Sequence, residues 1–413
     1  MTPFTEDTSV EAAVPTGLFS RAQGSTAAIP THKELLARVD ALVPRLRDRA
    51  EETEESRRIP SATMAELRAA GVFRILAPLG VGGFSMGVET YAEVVRRLAR
   101  GCASTAWNGG HLLEHVWMLA RWPKEIQDEV FADGAAPLAA ATAAPVGAAE
   151  KVAGGYRITG RWSFASGVLH SQWVLLAAEH NGARLQFLVP IDDVEVVDAW
   201  HTAGLRGTGS NDILAEQLFV PSRRAIDWTL LTATDNPGSR LHPDPIISTP
   251  MGTLLNIVAP SAALGAAEHA LELFQGQMLR RKVKNTVENR QADSPLSQAR
   301  FAQAYGLVAT ARLHWAEAVR LVAASHLRRP TTMTEEERAR YRLSFALSGE
   351  ASCQAVNLVM AGSGGSAHRL SHPLQRIQRD VGVLLNHPTL ATDPVLEQAG
   401  RGLLGLGLTV PSF

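Results

Sequence analysis

The sequence predicts an α+β protein with an N-terminal helical domain, a central small β-barrel or sandwich and a C-terminal four-helix bundle. Three observations carry this. Apolar residues recur at helical spacing before position 136. Six to eight short strands follow between about Pro137 and Val220. After Pro250 four long helical stretches succeed one another, a layout typical of a bundle. We therefore divide the chain into a loose N-terminal arm at 1–30, a helical domain at 31–136, a β-domain at 137–225 and a bundle at 226–413.

The helical domain begins with Thr31–Arg58, where leucines and valines recur with charged residues between them. Ser61 then provides an N-cap for a short helix that Gly71 ends. Tyr91–Arg100 and Thr105–Leu119 are the next helices, and a short one follows Pro123. The arm before them is rich in Thr, Ser, Gly and Ala and has no periodicity.

The β-domain shows alternation and a hairpin signal. Tyr156, Ile158 and Gly160 alternate with charged or polar residues. The apolar runs Trp173–Ala177 and Leu185–Val189 flank the turn at 180–182, which contains Asn-Gly. The four helices expected after it are Leu254–Val283, Ser297–Leu327, Thr334–Leu358 and Leu374–Leu385.

Composition excludes several classes of protein. The 40 basic and 41 acidic residues leave a net charge of −1, so nothing global supports a nucleic-acid or membrane surface. The two cysteines, Cys102 and Cys353, exclude a disulfide scaffold and fit a reducing cytoplasm. The N-terminus has neither a basic region nor an apolar core of a secretion signal, and Leu254–Ala267 is too short and polar to span a bilayer. We expect a soluble, cytoplasmic protein.

Two motifs match known patterns only in part. His111, Glu114 and His115 fit the His-x-x-Glu-His pattern of some zinc peptidases, but Pro123 interrupts the chain before a further acidic ligand. We therefore expect no metal, and two histidines on one helix face are the simpler interpretation. The glycine-rich segment 362–367 resembles a dinucleotide loop, yet a helix rather than a strand precedes it, so it is not a Rossmann loop.

Four strings, in order and spacing, resemble the acyl-CoA dehydrogenase fold superfamily, and more narrowly its two-component (group D) flavin-dependent monooxygenases. The resemblance runs from about Leu35 to Leu390. The strings are Gly160–Gly167 with His170–Trp173, Gly204–Asp212 with Phe219–Pro221, Gly364–Gly365 with His372–Asp380, and His387.

This resemblance implies a function and partners. Reduced FMN or FAD would arrive from a separate NAD(P)H-dependent flavin reductase, since no second nucleotide fold fits in the chain. With O2 as co-substrate, a C4a-hydroperoxyflavin would hydroxylate a small aromatic molecule. The resemblance also implies a homotetramer, because the flavin sites of the superfamily lie between subunits.

The residues around Ser166 suit a flavin ring. Aromatic side chains such as Phe164 can wall it, and hydroxyls can meet its polar edge. By resemblance, Ser166 lies near flavin N5 and, with Gly167, forms part of the flavin site. Thr142 and Ser210 are further flavin contacts by resemblance. A turn serine at a strand end is the plain alternative for Ser166, and a capping role for Thr142.

His387 decides between two branches of the superfamily. Acyl-CoA dehydrogenases carry a catalytic glutamate in the corresponding stretch, whereas residues 385–389 contain no carboxylate. An imidazole suits proton transfer near neutral pH, and the resemblance places it beside the flavin. His387 and Ser166 are therefore the predicted catalytic residues. A helix-terminal histidine facing solvent is the alternative.

The remaining predicted site residues come from less specific motifs. By resemblance, His115 and Trp117 border the substrate, although a structural role explains His115 equally well. Arg290 is expected to meet a flavin phosphate, and Gly364 and Gly365 to approach the flavin with their backbone. A surface arginine is the alternative for Arg290.

Two other functions stay open at this point. An acyl-CoA dehydrogenase or related flavin oxidase would have the same fold but use a different base. A zinc-dependent or non-catalytic protein is the third possibility.

Overall fold

The computed structural model of the chain describes residues 28–134, 136–282, 290–326 and 333–410. Most of the arm predicted at 1–30 lies outside these residues. The order of elements is helices, a seven-stranded sheet and helices again, which confirms the predicted fold class.

The N-terminal domain is built from short helices packed around two longer ones. Its first predicted helical run is divided, because a new helix with Pro44 in its first turn begins at Val43, and Arg49 separates the second helix from the third. Gly71, at φ 88°, ends the fourth helix as expected. The helices are α1 (His32–Asp40), α2 (Val43–Asp48), α3 (Ala50–Glu55), α4 (Ser61–Ala70), α5 (Val88–Ala99), α6 (Ala103–Leu119) and α7 (Lys124–Val130).

The sheet has the strand order β5-β6-β2-β1-β3-β4-β7. Its centre is β1, which pairs antiparallel with β2 and parallel with β3. Asn181 and Gly182, both at positive φ, turn β3 into β4, so the predicted hairpin is confirmed. The strands are β1 (Ala139–Val152), β2 (Gly155–Trp162), β3 (Trp173–His180), β4 (Ala183–Pro190), β5 (Glu195–Val197), β6 (Asp212–Pro221) and β7 (Ala225–Asp227).

The C-terminal part contains the four predicted long helices and one more. The additional helix, α14, packs against α12. After two short helices, α8 (Trp228–Thr232) and α9 (Met251–Leu254), the long helices are α10 (Val258–Arg280), α11 (Pro295–His326), α12 (Glu335–Ser363), α13 (Pro373–Leu384) and α14 (Thr392–Leu403).

The stretch Met251–Arg280 is long and apolar enough to cross a membrane, which the sequence analysis did not expect of this region. However, 83% of its most apolar window is buried inside the protein. Such burial is what a core helix of a helical bundle requires.

Helix α6 connects the three parts of the molecule. It contacts α5 and α10, the strand β1 and the 3-10 turn at 206–208. Its residues are buried almost all around, so side chains on every face meet another element. Functional groups on α6 can therefore face both the β-domain and the bundle.

Candidate active site

One face of α6 carries three aromatic rings in a row. Trp107, His111 and His115 are four residues apart, so they lie above one another on the helix. The ring centroids of Trp107 and His111 are 4.5 Å apart, and those of His111 and His115 are 5.8 Å apart. This row is the framework of the candidate site.

His387 reaches the same row from the other end of the chain. It lies in the turn after α13, and its ring centroid is 5.2 Å from that of Trp107 in an edge-to-face arrangement. Its Nδ1 accepts a hydrogen bond from the Thr389 amide at 3.3 Å. Burial lowers the pKa of His387 to about 4. At neutral pH the ring is therefore uncharged, and its proton is on Nε2.

The His387 turn is fixed by polar side chains from α12 and from the turn between α9 and α10. Arg342 donates to the carbonyl of Pro388 at 3.3 Å and to Oδ1 of Asn256 at 2.8 Å. The Thr389 hydroxyl donates to the same Asn256 oxygen at 2.9 Å. These bonds hold the imidazole against Trp107 without using its own Nε2.

Ser166 is the first of three hydroxyl groups linked by hydrogen bonds. Which hydroxyl donates in each bond can be derived. Thr208 donates its only hydroxyl proton to the Leu205 carbonyl, so it accepts from Ser210, and Ser210 in turn accepts from Ser166. The indole N–H of Trp107 donates to Ser166 Oγ at 2.9 Å. Ser166 therefore keeps one lone pair and offers a ligand an acceptor.

Trp107 thus joins the two predicted catalytic residues, since its indole bonds Ser166 and its ring contacts His387. These three residues come from α6, the turn after β2 and the turn after α13. We call Trp107, Ser166 and His387 the central triad.

His111, Glu114 and His115 form a second cluster on the same helix. His111 Nδ1 lies 2.6 Å from Glu114 Oε1, and Tyr91 donates to Glu114 Oε2 at 2.6 Å. His115 Nδ1 donates to the Ala139 carbonyl at 2.8 Å. Burial raises the pKa of Glu114 to about 8 and lowers those of His111 and His115 to about 4.

These three side chains place possible metal-ligand atoms within 4.8 Å of one another. Both Nδ1 atoms are engaged in hydrogen bonds, since the contact of 2.6 Å between His111 Nδ1 and Glu114 Oε1 requires a shared proton and His115 donates from Nδ1 to a backbone carbonyl, whereas His111 Nε2 has no partner. The cluster is a hydrogen-bonded array, and our expectation of no metal stays a prediction.

Among the described residues of α6 and β1, three buried side-chain atoms have no hydrogen-bond partner and suit a polar ligand. They are Oδ1 of Asn108, Oγ1 of Thr142 and Nε2 of His111. Asn108 is 0% exposed and Thr142 is 5% exposed, so their oxygens are also shielded from bulk water. A buried polar atom without a partner is costly, and such atoms are common where a ligand completes the site. The oxygens of Asn108 and Thr142, together with the Ser166 lone pair, suit the polar edge of a flavin.

Phe164 and Gly167 flank Ser166 as expected. Phe164 has a φ of 63° and is 67% exposed, with its ring edge-to-face on Trp200. Gly167 has a φ of 76°, and a Cβ there would come within 2.9 Å of Leu112. The turn therefore requires glycine at 167 and presents the Phe164 ring outward, where it can cover a bound ring.

Arg290, Gly364 and Gly365 belong to a different corner of the protein. Arg290 is exposed and bonds Asp293, while its neighbour Gln291 donates to the Gly362 carbonyl at 2.8 Å. Arg281 donates to the Ser363 carbonyl at 2.8 Å. The structure brings these residues together, but no described contact connects them to the central triad.

Trp117 does not join its predicted neighbour His115. It lies two residues further along α6, roughly 200° around the helix, because each residue turns by about 100°. Its side chain is 0% exposed, and its indole donates to the Ile246 carbonyl at 3.0 Å. The structure thus places Trp117 in the core, on another side of α6 from His115, and its role beside the substrate stays a prediction.

Replacing Trp117 by Phe tests this placement. We expect the free energy of unfolding to fall by about 1–3 kcal/mol, because the buried Ile246 carbonyl loses its partner. Product yield per reduced flavin should stay near the wild-type value. Urea unfolding and product analysis measure the two quantities. Normal stability with a lost yield would return Trp117 to the substrate site.

Comparison with known proteins agrees with the geometry. Residues 29–136 match the family model of the acyl-CoA dehydrogenase N-terminal domain, and residues 257–391 match that of the C-terminal domain. A pigment production hydroxylase of Rhodococcus sp. is 35% identical over 387 residues, which are 92% of this chain and 99% of that protein.

Two further relatives are named for reduced flavin. The oxygenase component of an FADH2-dependent resorcinol hydroxylase of Rhizobium sp. is 32% identical and covers 91% of this chain and 95% of its own length. The structure of XiaF from Streptomyces sp. with FADH2 and glycerol has a TM-score of 0.86 at 28% identity, covering 92% of this chain and 98% of that one.

The fold and these relatives define an oxygenase component of the two-component flavin-dependent monooxygenases. The chain belongs to this branch of the acyl-CoA dehydrogenase family. The resemblance identified from the sequence is confirmed. The predicted monooxygenase function is supported over the dehydrogenase and zinc alternatives.

Trp107, Asn108 and Tyr91 were not predicted as site residues from the sequence, and Glu114 was considered only as part of a zinc pattern. A signal for Trp107 existed, because it continues the four-residue spacing of His111 and His115 toward the N-terminus of α6. Tyr91 carried no such signal, since its contact with Glu114 depends on how α5 packs against α6.

Proposed function

We propose that this oxygenase hydroxylates a small aromatic substrate held between α6 and the His387 turn, at the expense of reduced flavin and O2. The observation that carries the proposal is the indole of Trp107, which contacts both Ser166 and His387. The relatives named as aromatic hydroxylases support the choice of substrate class.

Reduced flavin, when bound, supplies the electrons that activate O2. Ser166 offers its free lone pair to an N–H group of the bound ring, while Thr142 and Asn108 offer their unpartnered oxygens. His387 is neutral, keeps its hydrogen on Nε2 and donates a hydrogen bond from that atom at the reacting centre. The Trp107 ring shields this centre from water. His115 stays neutral and lines the substrate side of α6.

We propose FAD as the flavin, supported by the relatives named for FADH2. Its phosphates need a cationic partner, and Arg290 is exposed beside the Gln291–Gly362 contact, close to Gly364 and Gly365. Arg290 can release Asp293 and fork a phosphate. Since this corner has no described contact with the central triad, a second copy of the chain can supply it.

The proposed assembly is a homotetramer in the cytoplasm, served by a separate NAD(P)H-dependent flavin reductase. Exposed leucines support self-association, since Leu313, Leu370 and Leu404 are each more than 70% exposed. The free thiols Cys102 and Cys353 support a reducing compartment.

The test supplies the purified protein with FADH2 or FMNH2 from a flavin reductase and NADH, under 18O2, with a panel of phenols. We expect one 18O atom in the hydroxylated product of at least one phenol. A matched reaction without the protein controls for free reduced flavin, which yields hydrogen peroxide alone.

Two results would contradict the proposed function. If reduced flavin is oxidised without any labelled product from the phenol panel, the proposed substrate class is wrong. If an acyl-CoA thioester reduces the bound flavin in the absence of O2, the oxygenase function itself is contradicted.

A further inference from the structure

Glu114 is a buried carboxyl group that the proposed chemistry leaves without a role. Its side chain is 1% exposed and is enclosed by α5 and α6. Tyr91 donates to Oε2 at 2.6 Å, and Oε1 lies 2.6 Å from His111 Nδ1. Burying an ionisable carboxyl group costs free energy of desolvation. We therefore expect the group to have a function or a stabilising interaction that offsets this cost.

Proton counting fixes what this cluster presents to its surroundings. Tyr91 donates its phenol hydrogen to Oε2 of Glu114, so a proton on the carboxyl group lies on Oε1, the oxygen that faces His111. When Glu114 is protonated, its O–H donates to His111 Nδ1, so the imidazole carries its own hydrogen on Nε2. When Glu114 is ionised, His111 donates from Nδ1, and Nε2 is left as a bare acceptor.

The second ring nitrogen of His111, Nε2, is the atom of this cluster that can bind a ligand. His111 Nε2 is buried and has no hydrogen-bond partner. Its ring lies against Trp107, the residue that joins Ser166 to His387. A donor in this position fits an oxygen atom of a molecule bound at the central triad.

We propose that Tyr91 and Glu114 are positioning residues that keep the hydrogen of His111 on Nε2, so that His111 binds the oxygen of a phenol or phenolate substrate. The inference rests on the proposed function and extends it to substrate recognition. The ligand class is an aromatic ring with an oxygen substituent, because the donor is a neutral N–H beside an indole face.

The other titratable groups that face His111 do not change charge near neutral pH. They are His115 on α6, His387 in the turn after α13 and Tyr91 on α5. Burial lowers the pKa of both histidines to about 4 and raises that of Tyr91 well above its usual value. Within this cluster, Glu114 is therefore the group that titrates between pH 6 and pH 9.

The sign of the pH effect follows. Burial raises the pKa of Glu114 to about 8, so below that pH the carboxyl is protonated and His111 Nε2 is a donor. Above it, the hydrogen of His111 moves to Nδ1 and the donor disappears. We expect the product yield per reduced flavin to fall as the pH rises through about 8.

The variant Glu114→Gln separates a positioning role from a structural one. Its amide oxygen accepts from Tyr91 and its NH2 group donates to His111 Nδ1, which locks the hydrogen on Nε2 at every pH. We expect the variant to keep the wild-type KM for the phenol at pH 7 and to lose the alkaline fall in yield. A purely structural role predicts no change in the shape of the pH profile.

The tautomer is measured directly on flavin-free protein labelled with 15N-histidine, with the His111→Gln variant assigning the resonance. We expect protonated Nε2 at pH 7, protonated Nδ1 at pH 9.5 and protonated Nε2 at both values in Glu114→Gln. Tyr91→Phe is the second variant. It removes a hydrogen bond that favours the carboxylate form of Glu114. The change of the His111 tautomer should therefore occur at a higher pH.

Protonated Nδ1 at pH 7 in the wild type would overturn the proposal, as would an alkaline fall in yield that Glu114→Gln retains. A stoichiometric metal ion that shifts the resonances of both His111 and His115 would also overturn it, in favour of a metal site. Labelled product from a phenol together with any of these results leaves the proposed function standing. If the tautomers are as expected but no phenol gives labelled product, the proposed function is wrong and the role of Glu114 in fixing the His111 tautomer stands.

Discussion

His387→Ala is expected to lower the rate of product formation by about 10²-fold or more, the usual cost of removing a preorganised hydrogen-bond donor at a reacting centre. The imidazole is the group that holds a proton on Nε2 beside the Trp107 ring. Reduced flavin should still be consumed, because the substitution leaves Ser166 and its hydroxyl chain intact. The electrons should then appear in hydrogen peroxide instead of product. Product and peroxide are measured per NADH oxidised.

The matched control for this variant is His314→Ala. His314 lies half-buried on α11, away from the central triad, so product formation should stay within twofold of the wild type. Thermal unfolding of both variants shows whether a loss comes from misfolding. Unchanged coupling of O2 to product in a folded His387→Ala protein would remove the role assigned to this residue.

Trp107→Phe is expected to lower the product yield about tenfold while keeping an aromatic ring in place. The substitution deletes the N–H that bonds Ser166 Oγ, and the loss of such a bond is worth about 1–2 kcal/mol. That energy corresponds to roughly a factor of ten in an equilibrium or a rate. Ser166 is then free to rotate, so the acceptor it offers to the flavin is no longer fixed.

The matched control is Trp122→Phe. Trp122 lies between α6 and α7, is 0% exposed, and its indole nitrogen has no hydrogen-bond partner. The substitution should reduce stability through lost packing but leave the yield unchanged. Equal yields in Trp107→Phe and the wild type would show that the bond to Ser166 is not needed.

Much of the fold could be predicted because it is encoded locally. The hairpin at Asn181–Gly182 and the helix stop at Gly71 use backbone conformations that favour these residues. The sequence missed α14, whose buried face meets α12 only after the bundle has assembled. It also joined α1, α2 and α3 into one run, since the apolar periodicity continues across Leu42 and Arg49.

The site was predicted in pieces but not as an arrangement. Ser166 and His387 were predicted from motifs and a resemblance, yet the residue that contacts both, Trp107, is distant from each in sequence. Periodicity and spacing describe one element at a time, so they cannot show which elements meet. For the same reason, Glu114 was considered only as part of a zinc pattern, whereas packing against Tyr91 makes it a hydrogen-bonded acid.

The most direct test is a structure of the protein with reduced flavin and a phenol. We predict that the isoalloxazine ring lies against the Trp107–Ser166 pair, with Ser166 Oγ within hydrogen-bond distance of a flavin nitrogen and His387 Nε2 directed at the reacting centre. An isoalloxazine bound elsewhere, or an imidazole of His387 turned away from it, would contradict the account.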